Sequence, residues 1–215
     1  MIDCHTHSIH SDGVLIPSEL IRRAAVAGYT SMAITDHADE SNIDALVESL
    51  AKVCALYRRG PIIAVAGVEL THIPPGRIPA LVKRARALGA KVVIGHGETL
   101  AEPVEPGTNA AYIKAGADIL AHPGLVTDAE CVLARKKSVF FEITARGGHS
   151  ISNGHVAAAA LRHGVGMVIN TDAHAPGDLI SDARALQVVL GAGLKEEDFR
   201  RMQLNAKALL GKPAR

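Results

Sequence analysis

The apolar segments of this chain are short, and almost every one runs into a histidine, an aspartate or a glutamate. The seven segments are MIDCH, SMAITDH, IIAVAGVEL, KVVIGHGE, ADILAHPG, SVFFEIT and GMVINTDAH. Stretches of helical period lie between them, among them PSELIRRAAVAG, NIDALVESLAKVCALYRRG, PALVKRARALGA and NGHVAAAALRHG. The first opens on Pro17–Ser18 and stops at Gly28, residue types that start and end helices. Strand and helix alternating seven times predicts a parallel α/β arrangement. An open sheet could not bring the ends of its outer strands together, and no GxGxxG or Walker sequence follows the first strand. A closed barrel gathers every strand C-terminus on one face. The expected fold is an α/β, TIM-like (β/α)7 barrel with a polar cluster at one mouth.

The 215 residues fit one domain, 1–215, long enough to bury about 70% of the unfolded chain's surface. A hydrophobic content of 48% supports a packed core and argues against disorder. The formal charge is +1, from 23 basic and 22 acidic residues, so nothing draws the chain toward nucleic acid or an anionic membrane. Aromatic residues make up 3% and tryptophan is absent, which removes the material for stacking on bases. No long nucleic acid is expected as a partner. Cys4, Cys54 and Cys131 form no CxxC pair, so neither a disulfide framework nor a zinc ribbon is indicated. No apolar run reaches the ~20 residues of a membrane span, and no signal peptide precedes the first histidines. A cytoplasmic location without a membrane partner is expected, and no oligomeric state is read. The loop ETLAEPVEPGTN follows the fourth strand, where it can cover part of the mouth, and KEEDFRRMQLNAKALLG reads as a terminal helix.

The chemistry is concentrated at the strand ends. In MIDCHTHSIHSDG, strand alternation points His5 and His7 one way and Cys4 and Thr6 the other. The histidine pair can then chelate one metal from inside the barrel, with Cys4 in the core facing the helices. Asp12, in the SDG turn, is short and close enough to return to the same cluster. On the last strand, Asp172 and His174 again share a side, and a closed barrel makes them neighbours of the first pair. His37, Glu69, His96 and His122 end the four strands between. One ion takes about four to six ligands, so these nine candidates predict two or three divalent ions sharing bridging carboxylates. A lone strand-end histidine is more often a surface or hydrogen-bonded residue. Nine in register with successive strand ends are poorly explained by chance.

The segments HTHSIHSDG, TDH, GVEL, GHGE, AHPG and NTDAH resemble the successive motifs of the PHP (polymerase and histidinol phosphatase) superfamily, and most of all its histidinol-phosphatase-like branch. The resemblance runs from Met1 to about Leu190. It implies a distorted seven-stranded barrel with a trinuclear metal site. By motif, His5, His7, Glu69 and Asp172 would hold one metal. Glu69 would bridge to a second held by His96 and His122, and Asp12, His37 and His174 would hold the third. Asp12 stands where some members carry histidine. Asp36, beside His37, is expected to orient a ligand from outside the cluster. Imidazole and carboxylate ligands suit Zn, Mn or Fe better than Ca.

Five histidines remain: His10, His72, His149, His155 and His163. His155 and His163 read as structural or exposed. The loop TARGGHSISNG places Arg146 and His149 before a helix N-terminus, a good phosphate receptor, although an ordinary capping loop would look the same. His72 and Arg77, in THIPPGR, and His10 are further candidates to line the mouth. The expected activity is that of a metal-dependent phosphatase acting on a small phosphomonoester such as histidinol phosphate. A metal-bridging hydroxide would attack in line, Arg146 would stabilise the phosphoryl oxygens, and His149 is a candidate to protonate the leaving alkoxide. Asp12, Arg146 and His149 are thus the catalytic candidates; Arg146, His149, His72 and Arg77 are the substrate-binding ones. The alternatives are a nucleotide phosphoesterase or exonuclease, an amidohydrolase, and a non-catalytic metal-binding module. The amidohydrolase loses support because the fourth strand ends IGHGE, without lysine, and the last ends in DxH.

Overall fold

The computed structural model of the protein describes residues 1–211. In chain order the elements are β1 (Ile2–Asp3), α1 (Pro17–Val26), β2 (Ser31–Ile34), β3 (His37–Ala38), α2 (Ile43–Cys54), β4 (Ile63–Leu70), α3 (Ile78–Ala87), β5 (Val92–His96), α4 (Thr108–Ala115), β6 (Ile119–Ala121), α5 (Asp128–Lys137), β7 (Phe140–Thr144), α6 (Asn153–His163), β8 (Met167–Asn170), α7 (Asp182–Gly191) and α8 (Glu196–Leu210). The strands run parallel in the order β1-β2-β4-β5-β6-β7-β8, with β3 paired to β4 just beyond the end of β2. Seven staves therefore form a nearly closed, TIM-like barrel, the second one broken at Thr35–Asp36. The seam between β8 and β1 is joined by a bridge between Thr6 and Ala173 and by two backbone hydrogen bonds, His7 N–H to Ala173 O (2.8 Å) and Asp172 N–H to His5 O (3.0 Å). That seam makes neighbours of the first and last ligand pairs.

Local chemistry sets the helix boundaries. Pro17 opens α1 with its φ already helical, and Gly28 leaves the helix end at a φ of 89°. A capping box of Thr127 and Glu130 starts α5, a device worth about 1 kcal/mol. The strands then separate two apolar clusters. Met32, Ile34, Val68, Leu70, Val93, Leu120, Phe141 and Ile143 pack beneath the helices. Ala33, Val92, Ile94, Ile119, Ala121 and Val168 form a second cluster enclosed by the strands themselves. Full burial of each large side chain contributes about 1.5–3 kcal/mol.

The terminal helix has a more specific place than its sequence suggests. Ala206, Leu209 and Leu210 of α8 belong to the enclosed cluster. Gln203 accepts from Ile2 N–H at 2.7 Å, and Asn205 donates to Met167 O at 2.8 Å. Helix α8 thus plugs the end of the barrel where β1 and β8 begin, opposite the mouth. Cys4 corrects a second expectation. It is fully buried, but in the enclosed cluster and not beneath the helices. Strand β1 ends at Asp3, so residues 4–7 leave strict alternation, and the Cys4 amide donates to Asn170 Oδ1 at 2.9 Å. Among the described residues, no helix is long and apolar enough to cross a membrane.

Candidate metal centre

All nine strand-end candidates meet at the mouth, and Glu69 lies at their centre. Its Oε2 is 3.1 Å from His5 Nε2, 3.6 Å from His7 Nε2 and 2.9 Å from His37 Nδ1, while Oε1 is 3.6 Å from His122 Nε2. Asp172 Oδ1 lies 3.1 Å from His7 Nε2 and 3.6 Å from His5 Nε2. Asp12 Oδ2 lies 3.0 Å from His174 Nε2 and 3.6 Å from His37 Nε2. Three groups with metal-ligand spacing follow: His5–His7–Glu69, Glu69–His96–His122, and His7–Asp12–His37–His174. Two more occur among the described residues, His122–His149–Asp172 and the more exposed His72–His96–Glu102. The potential ligand atoms within each group lie no more than 4.8 Å apart.

The donor set fits divalent cations. His5 Nε2, His7 Nε2 and both Glu69 oxygens are buried and make no hydrogen bond, although nitrogens and carboxylates sit as close as 2.9 Å. Such approach without hydrogen-bond alignment suits lone pairs aimed at a common ion. Buried polar atoms without partners otherwise cost about 1–3 kcal/mol each. The backbone is strained at the same place: Asp172 has φ 53°, His122 φ 28° and His72 φ 52°, values that non-glycine residues adopt at some cost. Two glycines let the loops close around the cluster. A Cβ on Gly13 would lie 2.4 Å from His7 O, and one on Gly124, at φ 67°, would lie 1.9 Å from Glu98 O. The glycines of HSDG and AHPG therefore bring backbone against backbone beside Asp12 and His122.

Charge is organised by proximity. Burial disfavours the imidazolium of His5, but Glu69, Glu142 and Asp172 outweigh it and raise its pKa well above the ordinary value. Burial likewise opposes the charge of His37, yet Glu69 and Asp12 lift it to about 10. Burial pushes the carboxyls of Glu69 and Asp12 upward, but the surrounding histidines hold both well below the usual range. His7 and His122 are pushed down, by burial first. The cluster holds protons that divalent ions would displace.

Other candidates are placed unequally. His149 belongs to the site: its ring stacks on His122 with centroids 4.2 Å apart, and Nδ1 pairs with the Thr99 hydroxyl at 2.7 Å. Thr99 comes from the ETLAEPVEPGTN loop, which covers this side of the mouth. From the same loop, half-buried Glu102 reaches His72 (3.1 Å), His96 (3.2 Å) and His149 (3.4 Å). Arg146 instead pairs with Asp178 at 3.3 Å and lines a cavity of about 490 Å3 with Arg184 and Val188. Arg77 pairs with Glu40, and His10 is exposed. Asp36 accepts from Ser8 N–H (2.6 Å), the Ser8 hydroxyl (2.7 Å) and the Ser11 hydroxyl (2.8 Å), so it orders the loop carrying Asp12 and bonds no candidate ligand directly. His155 bonds Val126 O, and His163 pairs with Asp128 away from the mouth.

Glu102 and Glu142 were missed from sequence. Glu142 is fully buried on β7, with Oε2 2.8 Å from His5 Nδ1. A lone acid inside VFFEIT is its signal. Glu102 carries none, because Glu98 and Glu105 stand in the same loop.

The model of the PHP domain matches residues 3–138. An uncharacterized protein of Methanocaldococcus jannaschii is 48% identical over 206 residues, covering 94% of each chain. A 5'-3' exoribonuclease of Haemophilus influenzae is 31% identical over 107 residues, 46% of this chain and 39% of that enzyme. Among solved structures, a chain of archaeal ribonuclease P with mature tRNA superposes with a TM-score of 0.69 at 17% identity, covering 98% of this chain and 90% of that one. The ochratoxinase of A. niger superposes with a TM-score of 0.64 at 17% identity, over 100% of this chain and 72% of its own. At such identities the two superpositions speak for the barrel alone. The family match and the ordered strand-end ligands together support a metal-dependent hydrolase, and the chain belongs to the PHP domain family.

Proposed function

We propose that the protein is a metal-dependent phosphoesterase of the histidinol-phosphatase-like kind, hydrolysing a small phosphomonoester. The observation that carries this reading is Glu69, a fully buried carboxylate whose two oxygens face different histidines of adjoining ligand groups. A carboxylate so placed suits a bridge between cations. Two or three ions of the Zn, Mn or Fe type would be held by His5, His7, Asp12, His37, Glu69, His96, His122, Asp172 and His174. When bound, such ions supply Lewis acidity and make a water acidic enough to be a nucleophile near neutral pH.

The chain's own residues do the rest. His149, anchored through Nδ1 to Thr99 and stacked on His122, has Nε2 3.4 Å from Glu102 Oε1 and would be the proton donor to the leaving alkoxide. Burial lowers its pKa, which makes its protonated form the stronger acid. His72 and Arg77 stand on the loop after β4, where the rest of the ester would enter. Arg146 would serve a phosphoryl oxygen by exchanging Asp178 for it; as placed, Asp178 also accepts from His174 N–H at 2.9 Å and Ala175 N–H at 2.8 Å.

A second reading, a nucleotide phosphoesterase or exonuclease, is favoured by the likeness to the exoribonuclease over 107 residues. The two separate in one assay. Chelator-stripped protein reloaded with Mn, Zn or Fe is given histidinol phosphate, other small monoesters, and a 5'-phosphorylated RNA oligonucleotide. Phosphate release from the small esters supports the first reading; mononucleotides released from the oligonucleotide support the second. No metal-dependent product from any of them would contradict both.

A further inference from the structure

Glu142 occupies a position that packing does not explain. It lies on β7 in register with Val168, enclosed by the barrel below the mouth, and is fully buried. No lysine or arginine pairs with it among the described residues. Oε2 meets His5 Nδ1 at 2.8 Å and accepts from Asn170 Nδ2 at 2.8 Å, and Oε1 has no hydrogen-bond partner. A buried carboxylate of this kind is costly, and an apolar side chain of similar volume is often as stable or more so. Something other than stability keeps an acid here.

We propose that Glu142 is a positioning residue of the metal centre, a role that rests on the metal-centre reading of the cluster. By accepting from Nδ1–H it selects the His5 tautomer whose Nε2 lone pair faces Glu69 Oε2 and Asp172 Oδ1. It also turns the ring. Asn170 extends the link, because its Oδ1 accepts from the Cys4 amide while its Nδ2 donates to Glu142. Strands β7 and β8 and the segment following β1 are thus tied beneath one candidate ligand, at the seam where the barrel closes. The negative charge of Glu142 makes the imidazole a stronger donor to a cation, and the cation's charge offsets the cost of burying the acid.

The test is metal affinity and not turnover. Wild type, Glu142→Gln, His5→Ala and the double variant are stripped and titrated with Zn or Mn against a chromophoric chelator. Melting is recorded with and without metal. Glu142→Gln should bind about 10–100-fold more weakly, with a smaller metal-induced rise in Tm and little change in the metal-free Tm. Added to His5→Ala it should weaken binding no further, since Glu142 acts through that ring. Should Glu142→Gln not fold, Asn170→Ala removes the second anchor and should weaken binding by about tenfold or less. Wild-type affinity in Glu142→Gln, or an equal fall in Tm with and without metal, would overturn the proposal. Unchanged affinity in His5→Ala would instead sink the assignment of His5 to the metal centre, a result distinct from a failure of Glu142 alone.

Discussion

The inward face of the barrel carries two chemistries one pleat apart. On β5, Ile94 belongs to the enclosed apolar cluster, while His96 two residues later stands at the mouth. Next to Val168, Asn170 and then Asp172 climb the same end of β8. Across neighbouring strands the boundary is staggered, for Ile94 pairs in register with Glu69. The floor is apolar, buried and stopped from below by α8. The mouth is dense with groups that lack hydrogen bonds. The floor can therefore hold the ligands of the mouth in place without sharing their chemistry, and each region can be broken without the other.

The largest effect is expected at the mouth. His5→Ala or Asp172→Asn should lower turnover of the metal-loaded enzyme by well over the ~100-fold that loss of a supporting residue costs. The metal-free Tm should fall modestly, because either change leaves buried groups of the mouth without a partner, His5 lying against Glu69, Glu142 and Asp172. A large loss of metal-free stability would show that mouth and floor are not separable. Next comes the floor: Ile94→Ala should cost about 2–5 kcal/mol in denaturant unfolding and keep the wild-type number of bound metal ions per folded chain. A smaller effect is expected for Glu102→Gln. This carboxylate, held near 2 by His96 first and then His72, stands where the proposed anionic ester would enter. Its neutralisation should lower KM by about two- to fivefold, the scale of a half-exposed pair, with kcat little changed.

The smallest effect concerns pH. His37, raised to about 10 by Glu69 and Asp12 against its burial, stabilises the metal-free fold fully below about 6.5, and that contribution is lost as pH rises through 10. Glu102, depressed to about 2, contributes above about 4.5 and loses its contribution as pH falls toward 2. For these two groups the metal-free Tm should be highest between about 4.5 and 6.5, and His37→Gln should flatten the alkaline limb. Metal binding should run the other way, tightening as pH rises because ions displace the imidazole protons. A Tm that rises from pH 6.5 to 9 without metal would contradict the assigned charges.

The mouth was far more legible in sequence than the floor. His5, His7, His37, His96 and His174 stand out because polar residues end otherwise apolar strands, and a parallel barrel leaves them one place to meet. Cys4 was misplaced because alternation was extended past Asp3, where β1 stops pairing and the chain turns into the seam. The plugging role of α8 was hidden, since Ala206 and Leu209 look like any helical stripe and their partners lie on distant strands. Glu142 was overlooked because a strand acid faces solvent in most sheets, and only its register with Val168 shows it turned inward. Arg146 was legible as a loop cation, but its engagement by Asp178 depends on a turn 32 residues away.

The most direct test of a multinuclear centre is the count of metal ions per chain by elemental mass spectrometry, for wild type and Glu69→Gln purified side by side. About two or three ions are expected in the wild type, from the number of ligands one ion can take, and at least one fewer in Glu69→Gln with the fold retained. A folded wild-type chain that takes up no stoichiometric Zn, Mn or Fe, or a Glu69→Gln variant that binds as many ions as wild type, would contradict the central assignment.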